Sequence, residues 1–150
     1  MTMARNTMRG FSKRIRAIAD GVEDNTNKGM RRTVLTVASA VALRTPVDTG
    51  RARANWQTHI GAAPGGEVAA YPKGKAGSTG AAAAAQAIAQ ANAAMGAYKA
   101  EHSGTDVYIS NNLPYIGRLN EGHSGQAPAG FIEAAIMAGL NAIRKMKVVK

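Results

Sequence analysis

The segment Gly122-His123-Ser124-Gly125-Gln126 is the nearest this chain comes to a nucleophile elbow, the GxSxG turn that lifts a serine hydroxyl onto a strand-to-helix corner. Its final glycine is replaced by Gln126, and no strongly apolar strand leads into it, so Ser124 lacks the setting that makes a serine reactive. The three histidines, His59, His102 and His123, fall in separate segments without the i,i+4 pairing that puts two imidazoles on one helix face. With no cysteine in the chain there is no thiolate to complete a metal set, no thiol nucleophile and no disulfide framework. Glu121 and Glu133 are the only carboxylates near that turn. One belongs to a turn and the other to a helix, and nothing around them in sequence shifts either toward acid or base work. Gly74-Lys75-Ala76 shares the Gly-Lys step of a phosphate loop, yet Ala69 stands at the first glycine position and Ala76 where a magnesium-binding hydroxyl belongs. The expectation is a protein that is not an enzyme and needs no metal or cofactor.

The polar residues concentrate instead in two turn-rich islands, Thr45-Pro46-Val47-Asp48-Thr49-Gly50-Arg51 and the run from Asn111 through Phe131. Each sets Pro, Gly, Asn and Asp between apolar segments, which is the composition of tightly specified corners. Pro46 and Gly50 stop a helix and turn the chain, Asp48 can bond its own turn backbone, and Arg51 can reach an acidic neighbour.

The elements flanking these corners can be read from periodicity. Met30, Val34, Val37 and Val41 recur at helical spacing until Pro46, so a first helix ends near Arg44, with a weak interruption at Asp20-Gly21. Between Arg51 and Gly61, Ala54, Trp56, Thr58 and Ile60 alternate with Asn55, Gln57 and His59, a strand with Trp56 as a core anchor. Residues 61–80 form a flexible Gly-rich loop with room for a short strand over 67–71. Residues 81–100 are dominated by alanine and should be helical. A buried methyl contributes about 0.8 kcal/mol against a backbone cost of roughly 1–2 kcal/mol per residue, so this helix needs a close neighbour, and it is expected to pack against another subunit or to extend as an arm. Ile88, Met95 and Tyr98 give it a sparse stripe, and Gln86, Gln90 and Asn92 suit a wet surface. Residues 105–110 alternate as a second strand, and Ile132, Ile136, Leu140 and Ile143 mark a last helix. The fold expected is α+β in a single domain spanning 1–150: a long N-terminal helix, a small mostly antiparallel sheet, an alanine-rich helix and a C-terminal helix.

Charge sharpens the picture. The formal net charge is +10, and it sits at the ends: Arg5, Arg9, Lys13, Arg14 and Arg16 within 1–19, and Arg144, Lys145, Lys147 and Lys150 within 144–150. On a helix, Arg5, Arg9, Lys13 and Arg16 fall along one side, opposite Met8, Phe11, Ile15, Ile18 and Val22. The basic side is a solvated face whose apolar side meets the core or a partner, a contact for nucleic acid, or a contact for a membrane surface. No run of about 18 apolar residues spans a bilayer, and the start lacks a secretory pattern, so the protein is expected to be made in the cytoplasm.

Thr45–Trp56, TPVDTGRARANW, and Pro114–Phe131, PYIGRLNEGHSGQAPAGF, resemble the tail-completion or neck (head-tail joining) proteins of tailed bacteriophages. That pattern is a long helix, a Pro-Val-x-Thr-Gly-Arg turn into the first strand, and later a Tyr ahead of a Glu-Gly turn, then a Pro and a Phe-opened terminal helix. Tyr115, Glu121, Gly122, Pro128 and Phe131 stand in those places. The resemblance covers roughly residues 11–145, at motif strength only in the two islands; the alanine helix and Gly-rich loop lie outside it.

The resemblance implies a virion subunit forming a ring, a hexamer, between the head-side connector or head-closure protein and the tail terminator or tail tube, with genomic DNA passing through the lumen and no membrane involved. On this reading Pro46, Asp48, Thr49, Gly50, Arg51, Arg118, Glu121, Gly122 and Pro128 hold turns or subunit contacts. Arg51, Arg118 and Glu121 supply ion pairs, and Arg5, Arg9, Lys13 and Arg16 touch DNA or a partner. The alternative is a small basic protein that binds DNA without sequence preference, although no helix-turn-helix, zinc spacing or aromatic-interleaved basic strand supports base readout.

Overall fold

The computed structural model describes residues 2–147, with side chains from Arg9 onward. The expectations placed on the side chains of Arg5 and Met8, and on Lys150, lie outside the described residues. The architecture is α+β. Helix α1 runs Thr2–Arg44 without a break at Asp20-Gly21, then α2 (Arg51–Ala54), β1 (Gln57–Ile60), α3 (Gly80–Gly96), β2 (Val107–Ser110), α4 (Ile116–Asn120) and α5 (Phe131–Arg144) follow.

The two strands pair antiparallel, Gln57 opposite Ser110 and Ile60 opposite Val107, which leaves both edges of a two-stranded ribbon to be satisfied by other groups. Gln90 of α3 meets that need at Thr58: its amide donates to the Thr58 carbonyl and accepts from the Thr58 N–H, both at 2.8 Å. Asn55 does the same for the loop, accepting from Val68 N–H at 2.7 Å and donating to the Val68 carbonyl at 3.4 Å. The loop expected as flexible therefore contains no regular strand, yet it is tied down at several points. Asn112 donates to the carbonyls of Pro64 and Gly66, Gln86 to that of Ala70, and Gly77 N–H to that of Asp48.

The C-terminal half of α1 is the spine of the core. Val41 and Ala42 are buried with Ala84 and Ala87 of α3, and Trp56, Phe131 and Ala135 close the same cluster; Ala38 of α1 and Ala83 and Ala91 of α3 are buried too. A second cluster gathers Val34, Met95 and Tyr98 under the sheet. The close neighbour expected for the alanine helix is thus α1 of the same chain rather than another subunit. Alanine suits this role because the absence of longer side chains lets two backbones approach, and the dispersion lost in side-chain size is recovered in backbone contact.

One further expectation is corrected by the structure. Residues 51–54 form a short helix, and the strand begins only at Gln57. Gly50, at φ +89°, starts that helix from the left-handed region, so the chain turns by one helical step before it extends. The large residues Ile136, Leu140 and Ile143 are not the core face of α5: they are 47%, 41% and 41% exposed. The buried face is Phe131, Ala135 and Gly139, and a Cβ on Gly139 would lie 2.4 Å from Val37 Cγ2, so α5 crosses α1 where it has no side chain. Gly29 of α1 similarly faces Ile143 and Met146, which makes α5 run antiparallel to α1 and end near Gly29.

N-terminal to that point α1 leaves the body. None of residues 9–26 is buried, and Phe11, Ile15 and Ile18 are 60%, 49% and 56% exposed. From Phe11 to Asp20 every residue is exposed, and this stretch, the arm, is a solvated helix carrying an apolar stripe.

Candidate functional site

The two islands are distant in sequence and joined in space. Gln126 extends its amide across the corner that ends α1, accepting from Val47 N–H and donating to the Val47 carbonyl, each at 2.8 Å. Asn111 makes a second joint, donating to the Ala52 carbonyl at 2.8 Å. A shallow hollow of about 280 Å³ lies between them, lined by Pro46 to Gly50 on one side and Tyr115, Leu119, His123, Ser124 and Gln126 on the other.

Beneath the corner, Thr45 is fully buried and satisfied from every side. Its hydroxyl donates to the Val41 carbonyl at 2.6 Å and accepts from Trp56 Nε1 at 2.7 Å. Its own carbonyl accepts from Arg53 Nε and Nη2 at 3.0 and 2.8 Å, so a guanidinium fork closes the C-terminal end of α1, where the helix dipole favours a cation. Partial burial pulls the Arg53 pKa down from its ordinary value.

The island residues then sort by what they touch. Pro46 is buried and ends α1. Asp48 was expected to bond its turn through the carboxylate; instead its carbonyl takes the Gly77 N–H, and its side chain has no hydrogen bond among the described residues. The Thr49 carbonyl accepts from Gly74 N–H and the Thr79 hydroxyl. Gly50 is irreplaceable by geometry, since a Cβ there would meet the Pro72 carbonyl oxygen at 2.6 Å. Arg51 pairs with Glu67 in the loop, a bond that raises the arginine pKa, and Tyr115 from the second island is near enough to feel that guanidinium. Burial nevertheless dominates at Tyr115 and moves its phenol upward.

In the second island Glu121 approaches His123 at 3.6 Å, an ion pair only when the imidazole is protonated. Arg118 is exposed and forms no ion pair among the described residues. Gly122 holds φ +90°, with Ala129 packed against it. Pro128 sits on a neighbouring hollow of about 410 Å³ whose walls include Leu43, Arg53 and Phe131. Asn120, unremarked in the sequence, organises the start of α5: it accepts from Ile132 N–H at 2.9 Å and donates to both Glu133 oxygens at 3.1 and 2.9 Å. That bond holds the Glu133 carboxyl below its ordinary pKa.

The joining roles of Gln126, Asn111, Asn55 and Asn120 are what sequence reasoning passed over, and Gln90, expected on a wet surface, is partly buried against Thr58. The signal was present: an amide carries a donor and an acceptor side by side and is the one neutral side chain able to pair with a peptide unit as a strand would. As for bond-making chemistry, the Ser124 hydroxyl accepts from Gln126 N–H at 3.2 Å as part of the turn, and no group of three metal-ligating side chains occurs among the described residues. The basic side of the arm presents Arg9, Ser12, Lys13 and Arg16 along one shallow trough, all exposed. No helix among the described residues is long and apolar enough to cross a membrane.

Compared with protein-family models, curated proteins and solved structures, the chain shows no match to any of them.

Proposed function

We propose that this chain is a structural subunit of a tailed-phage head–tail junction, assembling with copies of itself into a ring that joins the head-side connector to the tail and lets DNA pass. The observation that carries the assembly part of this reading is the pair of uncovered apolar faces, Phe11-Ile15-Ile18 on the arm and Ile136-Leu140-Ile143 on α5. Large apolar side chains held at roughly half exposure on two separate helices mark surfaces built for contact. The phage part rests on the resemblance of the two islands. Their interlocking through Gln126 and Asn111 supports a stiff corner suited to fixing the angle between identical copies, because heterologous ring contacts must repeat one geometry at every interface.

Negative-stain imaging of the purified protein, together with particles made without it, tests the reading. Rings, and heads and tails that accumulate unjoined, are expected; intact infectious particles in its absence would end the proposal. A second reading, a basic protein coating DNA, is favoured by the exposed row Arg9, Lys13 and Arg16. It predicts dimers or filaments along DNA in place of rings.

A further inference from the structure

The two-stranded ribbon has one edge that the chain itself leaves open. In an antiparallel pair, opposed residues alternate between those that bond to each other and those whose N–H and C=O point away from the partner strand. Gly61 N–H donates to the Asp106 carbonyl at 2.8 Å, and this sets the phase. His59 with Tyr108 and Gln57 with Ser110 are then the bonded pairs, while Thr58 and Ile60 turn their peptide groups outward on one side and Ile109 and Val107 on the other. On the β1 side, the Gln90 amide fills both outward groups of Thr58, and α3 lies against that strand. The β2 side has no such filler. Among the described residues no hydrogen bond reaches the outward N–H or C=O of Val107 or of Ile109.

The chemical complement of such an edge is another extended chain, whose backbone presents a donor and an acceptor at the same two-residue spacing. Val107-Tyr108-Ile109-Ser110 holds no proline and no charge, and its register with β1 is unbroken by a bulge, so nothing in the strand turns a partner away. The strand is also complementary to itself. Laid antiparallel against a second β2 and centred on Tyr108, Val107 of each copy faces Ile109 of the other, every outward N–H meets an outward C=O, and four bonds form. The side chains agree with this register. Val107 and Ile109, only partly buried on the core side, cover one another, and Tyr108, 37% exposed on the opposite face, meets its own counterpart. Asp106 falls opposite Ser110, so no like charges are opposed. Symmetry then follows. With α3 occupying the β1 side, an open β2 edge has no different edge to mate with, and like edges close in pairs across a two-fold axis.

We propose that β2 is a self-association edge: two copies pair β2 to β2 antiparallel, Tyr108 beside Tyr108 on the axis, and join their ribbons into one four-stranded sheet of order β1-β2-β2-β1. The contact is separate from the apolar stripes of α1 and α5. It does not rest on the head–tail reading, since by itself it makes a dimer.

The chain has no cysteine, so an introduced thiol reports without background. At an opposed pair that does not share hydrogen bonds the Cα atoms stand about 4.5 Å apart, within disulfide reach, so full-length Tyr108→Cys should oxidise to a disulfide dimer. His59→Cys, on the same face but on β1, should stay a single chain, because its counterpart lies three strand spacings away, roughly 14 Å. Val107→Pro supplies an independent measure: it removes an outward N–H and no bond within the chain, as an edge strand tolerates. Its light-scattering mass should fall twofold while the emission of buried Trp56, the only tryptophan, stays that of the folded chain. Val107→Ala, which trims the side chain and keeps the N–H, should hold the wild-type mass. No disulfide in Tyr108→Cys, His59→Cys linking as readily, or an unchanged mass in folded Val107→Pro would overturn the proposal. So would a β2 edge that stays single until an extended segment of a different protein is added. Should Val107→Pro unfold, the two cysteine variants decide alone. Tyr108 cross-links without rings would sink the head–tail reading and leave this one standing, and rings without the cross-link would do the reverse.

Discussion

The Gln126 amide joins residues 79 apart with two bonds to one peptide unit, so removing it strands a donor and an acceptor at a partly buried corner. Leaving such groups unpaired costs about 1–3 kcal/mol, and Gln126→Ala should lower the denaturant midpoint accordingly with an unchanged slope. Gly50→Ala should cost about the same or more from its left-handed backbone alone, with the Pro72 carbonyl collision added. A midpoint equal to wild type in either variant would contradict the interlocked corner. Glu133 carries a pH signature. Its folded pKa lies below the unfolded one because Asn120 bonds the carboxylate, so the stabilisation is present above the ordinary carboxylate range and lost as pH falls through the folded value. The Tm gap between wild type and Glu133→Gln should therefore be open at neutral pH and close in acid; a gap that widens in acid would contradict the assignment. At this scale the sequence marked where the corners are, through Pro46, Gly50 and Gly122. It did not show what they grip, because an amide's partner is a backbone group with no letter of its own.

The helices show how far periodicity carries. The end of α1 at Pro46 and the second strand were legible because a proline and a period-two run leave few alternatives. The core face of α5 was not. Apolar residues occur on most of its circumference, and the large ones drew attention while Ala135 and Gly139 were buried, since a close helix crossing selects the smallest side chains. The same logic hid the neighbour of α3, whose alanines pack on α1 of their own chain. Gly139→Leu tests the crossing. Its side chain would fall on Val37 and Thr33, and overpacking a tight helix contact costs roughly 1–3 kcal/mol, read as a lower Tm. Ile136→Gln on the opposite, exposed face should leave the Tm of a dilute monomer nearly unchanged while weakening association.

For the molecule as a whole, the uneven distribution of charge and apolar surface divides one side of the arm from the other. The basic row lies on the side of α1 opposite Phe11, Ile15 and Ile18, so self-association through those residues and contact with a polyanion are compatible. If that row meets DNA phosphates, replacing Arg9, Lys13 and Arg16 by Gln should flatten the log-log salt dependence by about 0.9 per lost contact, measured by fluorescence anisotropy. An unchanged slope would assign the row to a protein partner instead. The central claim is that the stiff corner and the uncovered helix faces serve contacts between copies of this chain. Light scattering on the purified protein over a range of concentrations tests it most directly. A mass that is a multiple of one chain, and that falls in Ile15→Glu, is the predicted result; a monomer at every concentration would contradict it.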